Sequence, residues 1–194
     1  MIRQLVVSFP PGNGGLDPEE VSQLLEVMTD EKMAQGGLGH LKGAGTKSLD
    51  TRIRSGRVQW IMRDEIGLPI YSHLFTLASV ANRERQWNLD IEGIAHALQG
   101  VRYAAEGEEH YDWHMDWGGG KMKFRKITLV AHLAEEGSFE GGSLQVTNGS
   151  YPVAAIQKAG TVTVFPSFLM HRVTPVTAGL RSAVVAWVLG PSLR

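Results

Sequence analysis

The 194-residue sequence predicts a mainly β domain with flanking helices, an antiparallel sandwich or barrel that carries its helices on the outside. Three observations lead there. Two segments of the first ninety residues repeat apolar side chains at helical spacing. From Val58 onward the apolar runs become short and β-branched or aromatic. Those runs are separated by turn-forming clusters, EGEE, WGGGK, EEGSFEGG, NGSYP and KAG. About eight short strands so spaced satisfy a double-sheet jelly roll. No repeat or low-complexity tract divides the chain, so one domain is expected over 1–194, with helical support over about 1–90 and the jelly-roll core over about 97–190.

The first helix is expected in LDPEEVSQLLEVM, 16–28. Asp17 suits the N-cap, Pro18 the first helical position, and Glu19 and Glu20 the first turn, while Val21, Leu24, Leu25 and Met28 form one apolar stripe. The stretch GGLGHLKGAGTKSLDTRIRSGR, 36–57, is rich in Gly and basic residues and long for a connection; it reads either as a lid or substrate loop or as plain surface disorder. A second helix is expected over about Leu68 to Gln86, with Leu74, Leu77 and Val80 or Ala81 in register. Strands are then expected in VQWIM, ALQGVRYAA, HYDWHMDW, FRKITLVAHL, GSLQVTN, YPVAAIQ, TVTVFP, FLMHRVTPV and LRSAVVAWVLG.

Bulk properties narrow the function. A net charge of −1 and a pI near 6.7 argue against a general nucleic-acid binder, which needs a concentrated basic surface. With no Cys, disulfides, thiolate metal sites and a Cys nucleophile are excluded, so any metal must sit on His, Asp or Glu. The start MIRQLVVSFPPG is too short for a membrane span and lacks a secretory cleavage pattern. A protein of the cytoplasm is expected, with no membrane partner.

The chemistry concentrates in HYDWHMDW, 110–117, which holds two overlapping His-x-Asp pairs, His110 with Asp112 and His114 with Asp116. On an extended strand all four share a face, so either pair could grip one metal ion. A third donor is offered by His171 in FLMHRVTPV, where a buried structural histidine is the competing reading. Arg181 opens the last strand, on which Arg181, Ala183, Val185 and Trp187 face one way. An arginine there either reaches out to solvent or is aimed inward at a carboxylate, whose two oxygens its planar fork can hold. Two His and one carboxylate leave open positions on a metal, the arrangement of non-haem Fe(II) oxygenases.

These residues also carry a family resemblance. Tyr103 to Asp116, YAAEGEEHYDWHMD, resembles the prolyl-hydroxylase pattern in which Tyr and Gly precede Y-x-x-H-x-D. EGGSL (140–144), GTVTVFPSFLMHRVTPVTAGLR (160–181) and Trp187 resemble the second half of the same 2-oxoglutarate and Fe(II)-dependent dioxygenases, of the prolyl 4-hydroxylase-like (PKHD-type) family. The resemblance covers about the C-terminal half in order. It selects between the two pairs, because Tyr111 stands three residues before His114 whereas Gly107 stands three before His110.

The resemblance implies a double-stranded β-helix fold and a hydroxylase that uses Fe(II), 2-oxoglutarate and O2, with ascorbate as a stimulant. His114, Asp116 and His171 would be the catalytic metal ligands. Arg181 would pair with the far carboxylate of 2-oxoglutarate, Tyr103 would lie beside that cosubstrate, and Thr128 and His132, which alternate with Val130 onto one face of FRKITLVAHL, would help hold it. His132 stands where the oxygen-sensing enzymes of animals commonly have Tyr, and a buried structural His is the other reading. Tyr111, Trp187 and His110 are candidate substrate contacts. Trp113 and Trp117 face away from the ligands. Lys121, Lys123, Arg125 and Lys126 form either an acid-attracting loop or a solvated basic hairpin. The implied reaction hydroxylates an unactivated C–H bond of a prolyl or other amino-acid-type substrate, peptide, free amino acid or natural product, and releases succinate and CO2. Two further readings stay open, a non-catalytic jelly-roll binding module and a nucleic-acid demethylase of the AlkB kind. The latter typically has a second Arg six residues after the first, where this chain has Trp187.

Overall fold

The computed structural model describes residues 5–36, 50–149 and 151–192. Most of the proposed lid, 37–49, lies outside the described residues. In chain order the strands are β1 (Val7–Phe9), β2 (Ala34–Gln35), β3 (Arg57–Met62), β4 (Gly93–Ile94), β5 (Ala97–Ala104), β6 (Tyr111–His114), β7 (Arg125–His132), β8 (Phe139–Gly141), β9 (Leu144–Thr147), β10 (Val153–Ala154), β11 (Val162–Pro166), β12 (Met170–Val173) and β13 (Val176–Leu189). Helix α1 (Pro18–Val27) lies between β1 and β2, and α2 (Arg63–Glu84) follows β3.

Helix α1 begins where its sequence demands. The Asp17 side chain accepts from the Glu20 amide at 2.8 Å and the Glu20 carboxylate accepts from the Asp17 amide at 3.0 Å, a reciprocal cap of about 0.5–2 kcal/mol. Val21, Leu24 and Met28 are buried, and Leu25 is half-buried at the edge of the stripe. Helix α2 is broken at Gly67, whose φ of 74° is open to glycine and strained for other residues, and Pro69 follows. The regular helix thus starts at Leu68, as the periodicity predicts, preceded by one turn over 63–66. Its buried face carries Leu74, Leu77 and Ala81; Val80 is only half-buried.

The strands form two antiparallel sheets. The larger runs β1-β11-β7-β13-β5-β3-β2, with β4 and β8 also paired to β13, and the smaller runs β10-β9-β12-β6. This is the expected jelly roll with helices outside. Alternation on β13 separates two cores. Val184, Ala186 and Val188 face α1 and α2 together with Leu24, Leu74, Leu77, Leu98, Ile127 and Leu129. Ala183 and Val185 face the smaller sheet with Val101, Val130, Leu144 and Phe165. The site opens from this second, inter-sheet layer.

Several boundaries differ from the expectation, each for a pairing reason. Strand β6 ends at His114, because the amides of Asp116 and Trp117 both donate to the Ser167 carbonyl, at 3.1 and 3.0 Å, and bend the chain away. Strand β13 begins at Val176 because Phe139–Gly141, expected as turn, pairs with its first residues. The first ninety residues are not only helical support: Arg57–Met62 pairs with β5, as expected of VQWIM, and Val7–Phe9, not expected as a strand, pairs with β11. After Asp116 the chain forms a 3-10 helix over Gly120–Phe124 rather than a hairpin, and Lys126, expected in a solvated or substrate-facing basic loop, is only 3% exposed. Among the described residues no helix is long and apolar enough to cross a membrane.

Candidate active site

His114, at the end of β6, Asp116, in the bend after it, and His171, on β12, bring their ligand atoms within 4.8 Å of one another. β12 and β6 place His171 opposite His114 in register. The Asp116 carboxylate lies 3.9 Å from His114 Nε2 and 3.5 Å from His171 Nε2. Each imidazole is turned by its other nitrogen: Nδ1 of His114 bonds the Asp112 carbonyl at 2.7 Å and Nδ1 of His171 bonds the Leu169 carbonyl at 3.0 Å. A carbonyl only accepts, so Nδ1 carries the proton and the Nε2 lone pairs face the centre. Among the described residues this is the group of His and acidic side chains able to hold an ion, and His110 and Asp112 are not part of it.

Asp116 is held from behind. Thr128 donates its hydroxyl to Oδ2 at 2.8 Å and pairs with the Ser167 hydroxyl at 2.9 Å. Thr128, a candidate cosubstrate contact, thus directs its hydroxyl to the ligand carboxylate. Burial would raise the Asp116 carboxyl, but the imidazoles of His171 and His114 outweigh it and hold the group well below the usual carboxylate range. Burial, and then His171, pushes His114 down to about 3, so its imidazole is neutral and free to ligate near pH 7. Tyr111 stacks on His114 with ring centroids 3.5 Å apart, and burial raises its hydroxyl to about 12.

Arg181 is 1% exposed, and its Nε, Nη1 and Nη2 all lack a hydrogen-bond partner. Burial, partly opposed by Tyr103, draws it down only to about 10, so the guanidinium stays charged. A buried cation with no partner is costly unless an anion joins it. Tyr103 faces Arg181 in register across β5 and β13, with its ring 5.6 Å from the guanidinium carbon. His132 is 2% exposed, its Nε2 is also unpartnered, and burial followed by Arg181 pushes it down to about 3. His114, Asp116, His171, Tyr103, Tyr111, Arg181 and Trp187 line one cavity, with Val130, Leu144 and Val185 as its apolar wall. Arg125 stacks over Trp187 at 3.7 Å and lies 4.0 Å from the Asp116 carboxylate.

His110 is placed elsewhere. Its Nδ1 lies 3.0 Å from the Glu108 carbonyl and its Nε2 3.1 Å from the Arg52 carbonyl, which ties it to the preceding segment and leaves it outside the cavity lining. Asp112 is exposed, and its carboxylate accepts from the Trp113 amide. Trp113 and Trp117 line an adjoining apolar groove with Met115, Met122 and Met170, which shares Tyr111 and His114 with the main cavity. Sequence reasoning missed Arg54 and Gln99, which line the cavity, and Ser167, which braces Thr128. No local pattern singled out Arg54, because Arg52 and Arg54, two residues apart, would share a face on an extended strand.

The family model of the 2OG-Fe(II) oxygenase superfamily matches residues 98–189, the stretch that carries the open two-His, one-carboxylate triad and the buried, unpaired Arg181. The donor set suits Fe(II), and the orphaned Arg181 fork suits a carboxylate of 2-oxoglutarate. The chain is similar to PKHD-type hydroxylases. It is 35% identical over 81 residues to the one from Synechococcus sp. (strain CC9605), covering 41% of this chain and 36% of that relative, and 24% identical over 175 residues to the one from Gloeothece citriformis (strain PCC 7424), covering 89% and 74%. The match therefore spans little more than a third of the length of the first relative. In fold it is similar to the Trichoplax adhaerens prolyl hydroxylase in complex with a hypoxia inducible factor oxygen degradation domain peptide fragment, with a TM-score of 0.72 at 19% identity over 96% of this chain and 84% of that one.

Proposed function

We propose that this chain is a non-haem Fe(II)- and 2-oxoglutarate-dependent dioxygenase that hydroxylates an unactivated C–H bond of an amino-acid-type substrate, prolyl among them. The observation that carries the reading is the open triad facing the same cavity as a fully buried arginine without a partner. His114, Asp116 and His171 would hold Fe(II), and Arg181, with His132 Nε2 beside it, would hold the far carboxylate of 2-oxoglutarate. When bound, this pair supplies the oxidising chemistry: O2 is reduced, 2-oxoglutarate leaves as succinate and CO2, and one oxygen atom enters the C–H bond as hydroxyl.

The protein's own part is orientation and dryness. The Asp112 and Leu169 carbonyls fix both imidazoles in the tautomer that presents Nε2. Thr128 and Ser167 hold the carboxylate angle. Val101, Val130, Leu144, Val173 and Val185 would keep water from competing for the metal and, by lowering the local dielectric, would strengthen the pairing of Arg181 with a cosubstrate carboxylate. The peptide named with the Trichoplax neighbour supports a prolyl substrate class by analogy of fold.

The test is succinate formation from 2-oxoglutarate by anaerobically iron-loaded protein on admission of O2, screened with proline peptides, free amino acids and buffer alone. Turnover stimulated by one class is expected. A protein that binds neither Fe(II) nor 2-oxoglutarate would instead be a binding module on the same fold.

A further inference from the structure

The main cavity holds a second buried arginine. Arg54 lies just before β3, in a segment tied to the start of β6 by an isolated bridge between Arg54 and Tyr111 and by the bonds from Ser55 to the His110 carbonyl and from Asp112 to the Ile53 carbonyl. The residue is 6% exposed and lines the cavity with the triad and Arg181. Nη2 donates to the Gln99 side-chain oxygen at 3.0 Å, the guanidinium sits 4.5 Å above the Tyr111 ring, and Nε has no partner. Gly36 leaves room for it, since a Cβ there would come within 2.8 Å of Arg54 Nε.

Its neighbours show what is missing. Arg52 pairs with Asp50, and Arg57 and Arg102 both pair with Asp30. Arg54, the most buried of the four, has no ion pair among the described residues. Nor does the cavity offer one, because its carboxylate, Asp116, belongs to the triad. A divalent ion and a dicarboxylate cosubstrate would neutralise each other, and Asp116, which also faces Arg125 at 4.0 Å, offsets at most one of the two cavity arginines. With metal and cosubstrate bound, the cavity would keep at least one positive charge in excess, and a buried site in that state favours an anionic third occupant.

We propose that Arg54 is a substrate-binding residue and that the molecule oxidised here is a small free carboxylic acid whose carboxylate pairs with it. This deepens the dioxygenase reading and rests on it. A residue inside a peptide brings amide groups to that position and no charge. A small acid brings the planar anion that a guanidinium fork matches. Tyr111, under Arg54 and stacked on His114, puts one aromatic ring between the anchor and the metal ligands. An acid held there keeps its C–H bonds within a small molecule's length of the triad.

The test is calorimetric binding to the protein loaded with Zn(II) and 2-oxoglutarate, a combination that does not turn over. The probes are N-acetyl-L-proline and cyclopentanecarboxylate, their matched amides, and a proline tripeptide blocked at both ends. Both acids should bind about ten-fold or more tightly than their amides and than the blocked peptide. Arg54→Gln should erase that preference while leaving 2-oxoglutarate binding and the circular dichroism unchanged, and Arg54→Lys should restore part of it. The proposal is overturned if the wild type binds amides or blocked peptide as well as acids, if it binds no acid at millimolar concentration, or if Arg54→Gln keeps the preference. It is equally overturned if Arg54→Gln weakens 2-oxoglutarate as much as Arg181→Leu does, because Arg54 would then serve the cosubstrate. Failure of Zn(II) or 2-oxoglutarate to bind is a different result: it removes the dioxygenase reading, and the acid-over-amide preference is then read on the metal-free protein.

Discussion

The two walls of the cavity are built on opposite plans. On the triad wall, each ligand's other polar atoms are engaged: the Asp112 and Leu169 carbonyls take the imidazole Nδ1 protons, and Thr128 braces Asp116. On the arginine wall, Arg181 Nε, Nη1 and Nη2 and Arg54 Nε are buried and unpartnered, as is Nε2 of His132, which is buried near Arg181 but is not among the lining residues. The first wall is shaped before any ligand arrives. The second holds charge whose stabilisation waits for an anion, so the ligand-free fold is weaker there and binding recovers the difference.

Mutation should separate the two plans. The largest effect is expected from Asp116→Ala, His114→Ala or His171→Ala, which should abolish metal binding in a Zn(II) or Co(II) titration with circular dichroism retained. His110→Ala and Asp112→Ala should bind as the wild type does. Wild-type metal affinity in His114→Ala would falsify the assignment of the triad. Next, Arg181→Leu should move two readouts in opposite directions. Its affinity for 2-oxoglutarate should fall by about 2–5 kcal/mol, whereas the ligand-free protein should gain about 1–4 kcal/mol on thermal or urea unfolding, since a buried unpaired charge has become apolar. Loss of both affinity and stability would mean that Arg181 has a partner and that the contrast between the walls is wrong. A smaller effect is expected from Thr128→Val, which keeps the shape and removes the hydroxyl on Asp116. Metal affinity should drop about 10–100-fold; no change would show that the register of β7 alone orients the carboxylate.

The triad wall was also the wall more legible in the residues. His114 and Asp116 lie two apart and His171 lies in a short apolar strand; on the arginine wall only Arg181 was as legible, through the alternation from Arg181 to Trp187 on β13. Local patterns narrowed the metal site to two overlapping pairs, and the family resemblance chose between them. Arg54 was hidden because its position depends on β3 pairing with β5 and on a bridge to Tyr111, fifty-seven residues further on. The same holds for β1, whose partner β11 begins at Val162, and for the end of β6, set by a carbonyl on Ser167. Gly67 shows the intermediate case: the periodicity placed the start of the regular helix, but the turn before it rests on a backbone angle that only the fold displays. His110 satisfies the His-x-Asp pattern as well as His114 does and fails only because Arg52 and Glu108 supply carbonyls that hold its ring elsewhere.

The smallest predicted effect probes the arginine wall through pH. His132 is buried beside Arg181, and burial followed by that positive charge pushes its pKa from an ordinary 6.5 down to about 3. Between those values the unfolded chain binds a proton at this position that the folded chain refuses. The ligand-free protein is therefore least affected above about pH 6.5 and loses stability progressively as pH falls toward 3, at no more than about 1.4 kcal/mol per pH unit from this residue. His114 adds a loss of the same sign, so the contribution of His132 is read as a difference. His132→Leu should flatten the fall in melting temperature between pH 6.5 and 4.5 relative to the wild type while leaving the curve above pH 7 parallel. An identical pH dependence in the two proteins would mean that the buried ring accepts its proton in the folded state. Arg181 would then be far less isolated than its unpartnered nitrogens indicate, and the contrast between the walls would narrow accordingly.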